Sequence, residues 1–143
     1  MHWIYDDGGR AAAGYTGRTG DCVARAIAIA TQRSYQQVYD EINQAAKGER
    51  TGTKKRGTSS ARLGVSKRTT RAYLAALNWT WTPTMQIGAG CTVHLAASEL
   101  PQGRIIVLVS KHVTAVLDGV IHDTHDPSLG GRRRVYGYWR RAV

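Results

Sequence analysis

Apolar positions between residues 21 and 46 recur at helical spacing. Val23, Ile27 and Ala30 form one stripe, widened by Ala26 and Ile29, with Arg25 the one charged residue among small and apolar neighbours. This predicts a largely buried helix from about Asp21 to Thr31. A second stripe, Tyr35, Val38, Ile42 and Ala45, follows the capping-box form Ser34-Tyr35-Gln36-Gln37 and ends near Lys47-Gly48. Residues 58–77 read as a short helix, a break at Gly64, an N-cap at Ser66 and a helix to about Leu77 closed by Asn78. Leu63, Val65, Tyr73, Leu74 and Leu77 are the core-facing positions of that segment.

After Asn78 the period changes to that of strands. Trp79 and Trp81 alternate with Thr80 and Thr82 and stop at Pro83. Thr92 to Leu95 is a short strand candidate, and Arg104 to Val109 is a continuous apolar run suited to a central strand buried on both faces. Lys111–Leu117 and Val120–Thr124 flank Asp118-Gly119, a strong hairpin signal. Val135 to Trp139 is a last, aromatic strand. The glycines at 8, 9, 14, 17 and 20 make residues 1–20 loop-like, without the spacing of a P-loop, and residues 48–58 read as a mobile basic loop. The expected fold class is α+β. One domain, 1–143, packs N-terminal helices on an antiparallel sheet formed mostly by residues 79–139.

Composition narrows the classes. A hydrophobic content of 42% suits a globular core rather than a disordered chain. No apolar run approaches a membrane span, and the N-terminus has no signal-peptide shape, so a soluble, cytoplasmic protein without membrane partners is expected. Two cysteines, Cys22 and Cys91, make no disulfide framework and no CxxC pair; Cys91 reads as structural. The net charge of +10 predicts attraction to nucleic acid or another acidic surface. Its basic residues concentrate in Lys47–Arg71 and Arg132–Arg141.

Chemistry centres on Gly20-Asp21-Cys22-Val23-Ala24-Arg25. Asp21 and Gly20 are N-cap-type residues, which puts Cys22 in the first helical turn. Unpaired N–H groups and partial positive charge there favour a thiolate, and Arg25 and Arg18 add to it. The hairpin supplies a base. With a two-residue turn, Leu117 pairs with Val120, Thr114 with Asp123, and His112 with His125. Opposed residues share a face, so His112, Thr114, Asp123 and His125 do. His112 and Asp123 are then diagonal neighbours at roughly 7–8 Å by backbone, a gap their side chains can bridge. A carboxylate beside His112 fixes its tautomer, and an imidazolium near Cys22 completes a thiolate–imidazolium pair.

Cys22 within Gly-Asp-Cys, His112 within Lys-His-Val-Thr-Ala-Val and Asp123 within His-Asp-Thr, in that order, resemble papain-like cysteine peptidases. The likeness is to their small forms, the bacteriocin-leader peptidases and NlpC-type cell-wall hydrolases, and extends loosely over residues 14–128. The segments also look like those of small phage-encoded proteins. The resemblance implies a papain-like fold and a cysteine peptidase, amide hydrolase or acyl-transferase without a cofactor. Cys22 would attack, His112 would shuttle the proton and Asp123 would orient His112. Partners would be a peptide or protein substrate or a host bacterial protein, in the host cytoplasm. The papain-like pattern often has a Gln upstream of the Cys. Residues 15–19 contain none, which leaves the Cys22 N–H as one oxyanion donor and Thr16 or Thr19 as candidates for the other. Specificity residues are expected in 48–58 and near Trp79 and Trp81.

Two other chemistries are legible. His122-Asp123-Thr124-His125-Asp126 holds metal-type ligands, but His122 and His125 fall on opposite faces of one strand. The alternative function is a basic nucleic-acid- or host-protein-binding protein on an inactive papain-like scaffold. There Lys54, Lys55, Arg56, Arg62, Lys67, Arg68 and Arg71, with Arg132–Arg134, would contact phosphates. Leu63-Gly64-Val65-Ser66 before a basic helix resembles the turn of a helix-turn-helix.

Overall fold

Two apolar faces on one sheet dictate the architecture. In the strand Arg104–Val109 (β5), Ile106 and Leu108 point to one side, and Ile105, Val107 and Val109 to the other. Both sets are buried, as a central strand requires. The computed structural model describes residues 1–49 and 58–142. Its described elements run β1 (Trp3–Tyr5), α1 (Cys22–Thr31), α2 (Tyr35–Ala46), α3 (Lys67–Ala76), β2 (Trp79–Pro83), β3 (Met85–Gln86), β4 (Gly90–Cys91), β5, β6 (His112–Leu117), β7 (Val120–Asp123) and β8 (Val135–Arg141). Six strands form the main sheet in the order β1-β7-β6-β5-β8-β2, while β3 and β4 pair separately.

The class is α+β. The sheet is mixed rather than antiparallel throughout, because β1 pairs in parallel with β7, Tyr5 opposite Asp123. β1 falls in the stretch expected to be loop. Its three residues are all exposed and show no alternation, so its pairing partner alone defines it.

The helices cover one face of the sheet. The buried stripe of α1 runs from Val23 to Ala30, and it packs with Val38 and Ile42 of α2 and Leu74 of α3 against Ile106, Leu108, Val113, Ala115 and Trp139. The caps fall where side-chain chemistry puts them. Ser34 Oγ accepts from the Gln37 N–H at 3.1 Å and Ser66 Oγ from the Thr69 N–H at 3.2 Å. The opposite face of the sheet is covered by the segment around Leu95 and Leu100. Trp81 packs tilted against Trp139, with ring centroids 4.4 Å apart, and runs directly over Gly137, whose missing side chain makes room for it.

Three expectations give way. The short helix before Gly64 is a tight turn, closed by reciprocal Ser60–Gly64 backbone bonds of 2.8 and 2.9 Å. The first helix of a helix-turn-helix is therefore not formed there. Leu63, at the tip of that turn, is 75% exposed and is not a core residue. Thr92–Leu95 contributes only an isolated bridge, His94 to Arg134. The basic loop expected at 48–58 lies outside the described residues except for its ends, where Glu49 accepts the Ser59 N–H at 2.7 Å. Among the described residues no helix is long and apolar enough to cross a membrane.

Candidate active site

α1 begins at Cys22, and β6 begins at His112. The β6–β7 turn has Asp118 at φ 48° and Gly119 at φ 79°, the two left-handed residues of a type I′ hairpin. The register is Leu117 opposite Val120, Val116 opposite Ile121 and Ala115 opposite His122. Carried on, it sets Thr114 against Asp123 and His112 against His125. The contacts agree. Thr114 Oγ1 donates to Asp123 Oδ2 at 2.7 Å, and His112 Nε2 lies 2.7 Å from the same oxygen. The His112 and His125 rings are 4.8 Å apart. With Nε2 committed to Asp123, Nδ1 is the imidazole nitrogen left for Cys22, which lines the same cleft.

The electrostatics couple the three groups. Burial alone would push the Cys22 thiol up. The hydrogen-bonding and positive charge of His112, the Val113 N–H and the charge of Arg25 outweigh it and lower the pKa below the usual thiol value. Burial alone would lower His112. Hydrogen bonding and negative charge from Asp123 and Cys22 instead raise it to about 9. Asp123, against its own burial, is held down to about 2 by His112, Thr114 and the Thr124 N–H. All three shifts favour the ionised forms, which is the condition for a thiolate–imidazolium pair oriented by a carboxylate.

A buried charge network underlies the triad. Arg25 is 7% exposed. One arm of its guanidinium binds Asp21, and the other reaches Asp123 Oδ1 at 3.2 Å. Asp21 also takes Arg10 Nη1 at 3.1 Å and the Tyr35 hydroxyl at 2.6 Å. Asp21 thus occupies the N-cap position of α1 without its side chain capping the helix. Its carboxylate is drawn to cations instead and takes no first-turn N–H of α1. Gly8 allows the N-terminal loop to reach this network. Its φ is 70°, and a Cβ there would meet the Arg25 carbonyl oxygen at 3.1 Å.

The cleft in front of Cys22 has a volume of about 980 Å³. Arg10, Lys67 and Lys111 stand in its wall with Leu63, and no carboxylate lines it among the described residues. Thr19 is in the wall, but its hydroxyl donates to the Arg62 carbonyl at 2.9 Å, and Thr16 does not line the cleft, so neither threonine is the second oxyanion donor. Cys22 and Val23, the first residues of α1, both line the cleft. Trp79 and Trp81 do not line this cleft; Trp139 does. Arg18 is exposed and lies outside the wall.

Ligand atoms of His112, Asp123 and His125 lie within 4.8 Å of one another, which is metal-ligand spacing. The donor set argues against a cation. Asp123 Oδ2 already serves His112 and Thr114, and Oδ1 serves Thr124 and the Arg25 guanidinium. A metal ion would have to displace these partners beside a fixed positive charge. His122 points elsewhere, 3.6 Å from Asp6.

No protein-family model, no curated protein and no solved structure matches this chain. The reading of the site therefore rests on its own geometry.

Sequence reasoning names every side chain of the site but not the charge network that joins Asp21, Arg25 and Asp123. His125 is named by the hairpin register, which sets it opposite His112. The Asp21–Arg25 ion pair is visible as an i, i+4 spacing of opposite charges at a helix start. Its link to Asp123 is not, since residues of α1 and β7 meet there only in the folded chain.

Proposed function

We propose that this chain is a papain-like cysteine hydrolase or acyl-transferase that acts on an amide of a peptide or protein. One observation carries the reading. The His112–Asp123 pair, closed at 2.7 Å, stands beside a thiol at the first residue of a buried helix. His112 holds the thiol proton, and the Cys22 sulfur adds to the carbonyl carbon. The oxyanion is met by the first-turn N–H groups. His112 then returns the proton to the leaving nitrogen, the C–N bond breaks and a thioester remains on Cys22. Water completes a hydrolysis, with its proton passing to His112; an acceptor amine completes a transfer. Asp123 stays ionised throughout and orients the ring. The cationic wall of the cleft suits a substrate with acidic residues near the scissile bond. A reducing bacterial cytoplasm, which the likeness to phage-encoded proteins suggests, would keep both cysteines free.

The test is an acidic-peptide library incubated with the wild-type chain, Cys22→Ala and His112→Ala, with products and adducts read by mass spectrometry. The expected result is cleavage or transfer with a thioester on Cys22, absent from both variants. Turnover that persists in Cys22→Ala would overturn the proposal.

A further inference from the structure

The C-terminal end of α1 borders a second hollow, about 520 Å³ in volume. Trp79 and four arginines, Arg33, Arg104, Arg140 and Arg141, line it, and no Asp or Glu does among the described residues. Two of the four have structural partners. Arg33 binds Glu41 at 2.7 Å, and Arg104 donates to the Ile29 carbonyl at 3.1 Å, the favoured place for a cation at a helix end. Arg140 and Arg141 have no ion pair or side-chain hydrogen bond among the described residues. The Nε of Arg33 is buried without a hydrogen-bond partner.

The strand register sharpens the picture. Trp79 lies opposite Arg141, and Ile105 lies opposite Arg140. One step further along the same ladder, Arg104 faces Arg141. Directly opposed residues share a face of the sheet, so this register puts two like charges on one face at the same level, an arrangement that disfavours the pair. Burial does not compensate for that repulsion, because both residues are exposed. A bound anion would.

We propose that this hollow is a binding site for a phosphate-bearing ligand. On the helix side of the sheet the wall carries Arg33, Arg104 and Arg141, with Arg140 lying opposite Ile105 on the other face, and a carboxylate would bring only one negative charge to them. A phosphomonoester or pyrophosphate brings at least two, with several oxygens that match the fork of each arginine. Trp79 is only 7% exposed and offers little ring face for stacking, so the phosphate rather than a base is what the site reads. The charge can come from one phosphomonoester or pyrophosphate of a free small molecule, or from successive singly charged diesters of a polynucleotide backbone. The site is at the opposite end of α1 from Cys22 and does not depend on the thiol chemistry.

The test uses the full chain and inorganic pyrophosphate at low salt, by calorimetry and thermal melting. Wild type, Cys22→Ala and the control Arg132→Gln/Arg133→Gln should bind alike and gain thermal stability with the ligand. Arg104→Gln/Arg141→Gln should bind at least about tenfold more weakly, the size expected for lost charge-assisted hydrogen bonds. Without ligand, Arg141→Gln alone should melt at or above the wild-type temperature, because a repulsion is removed; it replaces the double variant if that fails to fold. Oligothymidylate that displaces pyrophosphate from wild type would identify a polynucleotide backbone as the source, and failure to displace it would identify a small phosphate-bearing molecule. No binding of pyrophosphate by wild type, or equal binding by wild type and the arginine variants, would overturn the proposal.

Discussion

At its N-terminal end, α1 is held in a web of paired charges; at its C-terminal end, about 15 Å away by helical rise, arginines stand with few partners. Asp21 is bound by Arg25, Arg10 and Tyr35, and Asp123 by His112, Thr114, Thr124 and Arg25. At the far end four arginines share a hollow, and Glu41, outside its wall, answers only Arg33. The difference teaches what each end is built for. Charges locked together cannot be spent on a ligand, but they hold neighbouring groups in fixed ionisation states, as the proposed reaction at Cys22 requires. Charges left over do little for the fold and are free to meet an anion.

Breaking the locked end should have the largest effects. Cys22→Ala should abolish amide turnover, and His112→Ala should lower it by about 10²–10⁴-fold, the usual worth of a general acid–base group, as measured by kcat/KM on a cleaved peptide. Arg25→Met leaves two buried carboxylates short of a partner and should cost about 3–5 kcal/mol in urea unfolding. Arg25→Lys should recover only part of this, since one ammonium cannot reach Asp21 and Asp123 as a fork does.

The pH dependence of stability sharpens the same end. His112 titrates near 9 when folded and near 6.5 when unfolded. Its contribution is complete below about 6.5 and disappears as pH rises through about 9. Cys22 acts in the opposite sense, because its lowered pKa adds stability as pH rises toward the ordinary thiol value of 9.0. The wild-type chain should therefore lose less stability across that window than Cys22→Ala, as read by melting temperature against pH. On the acid side, Asp123 gives its full contribution above 3.8 and loses it as pH falls through about 2. The smallest effect belongs to the unlocked end. Arg140→Gln should shift stability by no more than about 0.5 kcal/mol, in contrast with Arg25.

Much of this arrangement is legible in the chain itself. The helical stripes of 21–46, the buried run at 104–109 and the Asp118-Gly119 turn each carry a local signal, and the turn alone places His112, Thr114 and Asp123 on one face. The features that escape are those set by partners distant in sequence. β1 has three exposed residues and exists because β7 offers it an edge. Asp21 looks like a cap, yet Arg25, Arg10 and Tyr35 together outcompete the helix N–H groups for its carboxylate. The turn at 60–64 looks helical from its apolar spacing, but the paired Ser60–Gly64 backbone closes it as a loop and leaves Leu63 exposed at the cleft. The arginine hollow needs the register of β8 against both β5 and β2, which no local pattern reveals.

The central claim is that Cys22 and His112 share their proton as an ion pair. It is tested most directly by the rate of Cys22 alkylation with iodoacetamide against pH, in a Cys91→Ala background. The account predicts a thiol pKa below the ordinary 9.0, returned to that value or above by His112→Ala. An ordinary or raised pKa, unchanged by His112→Ala, would contradict it.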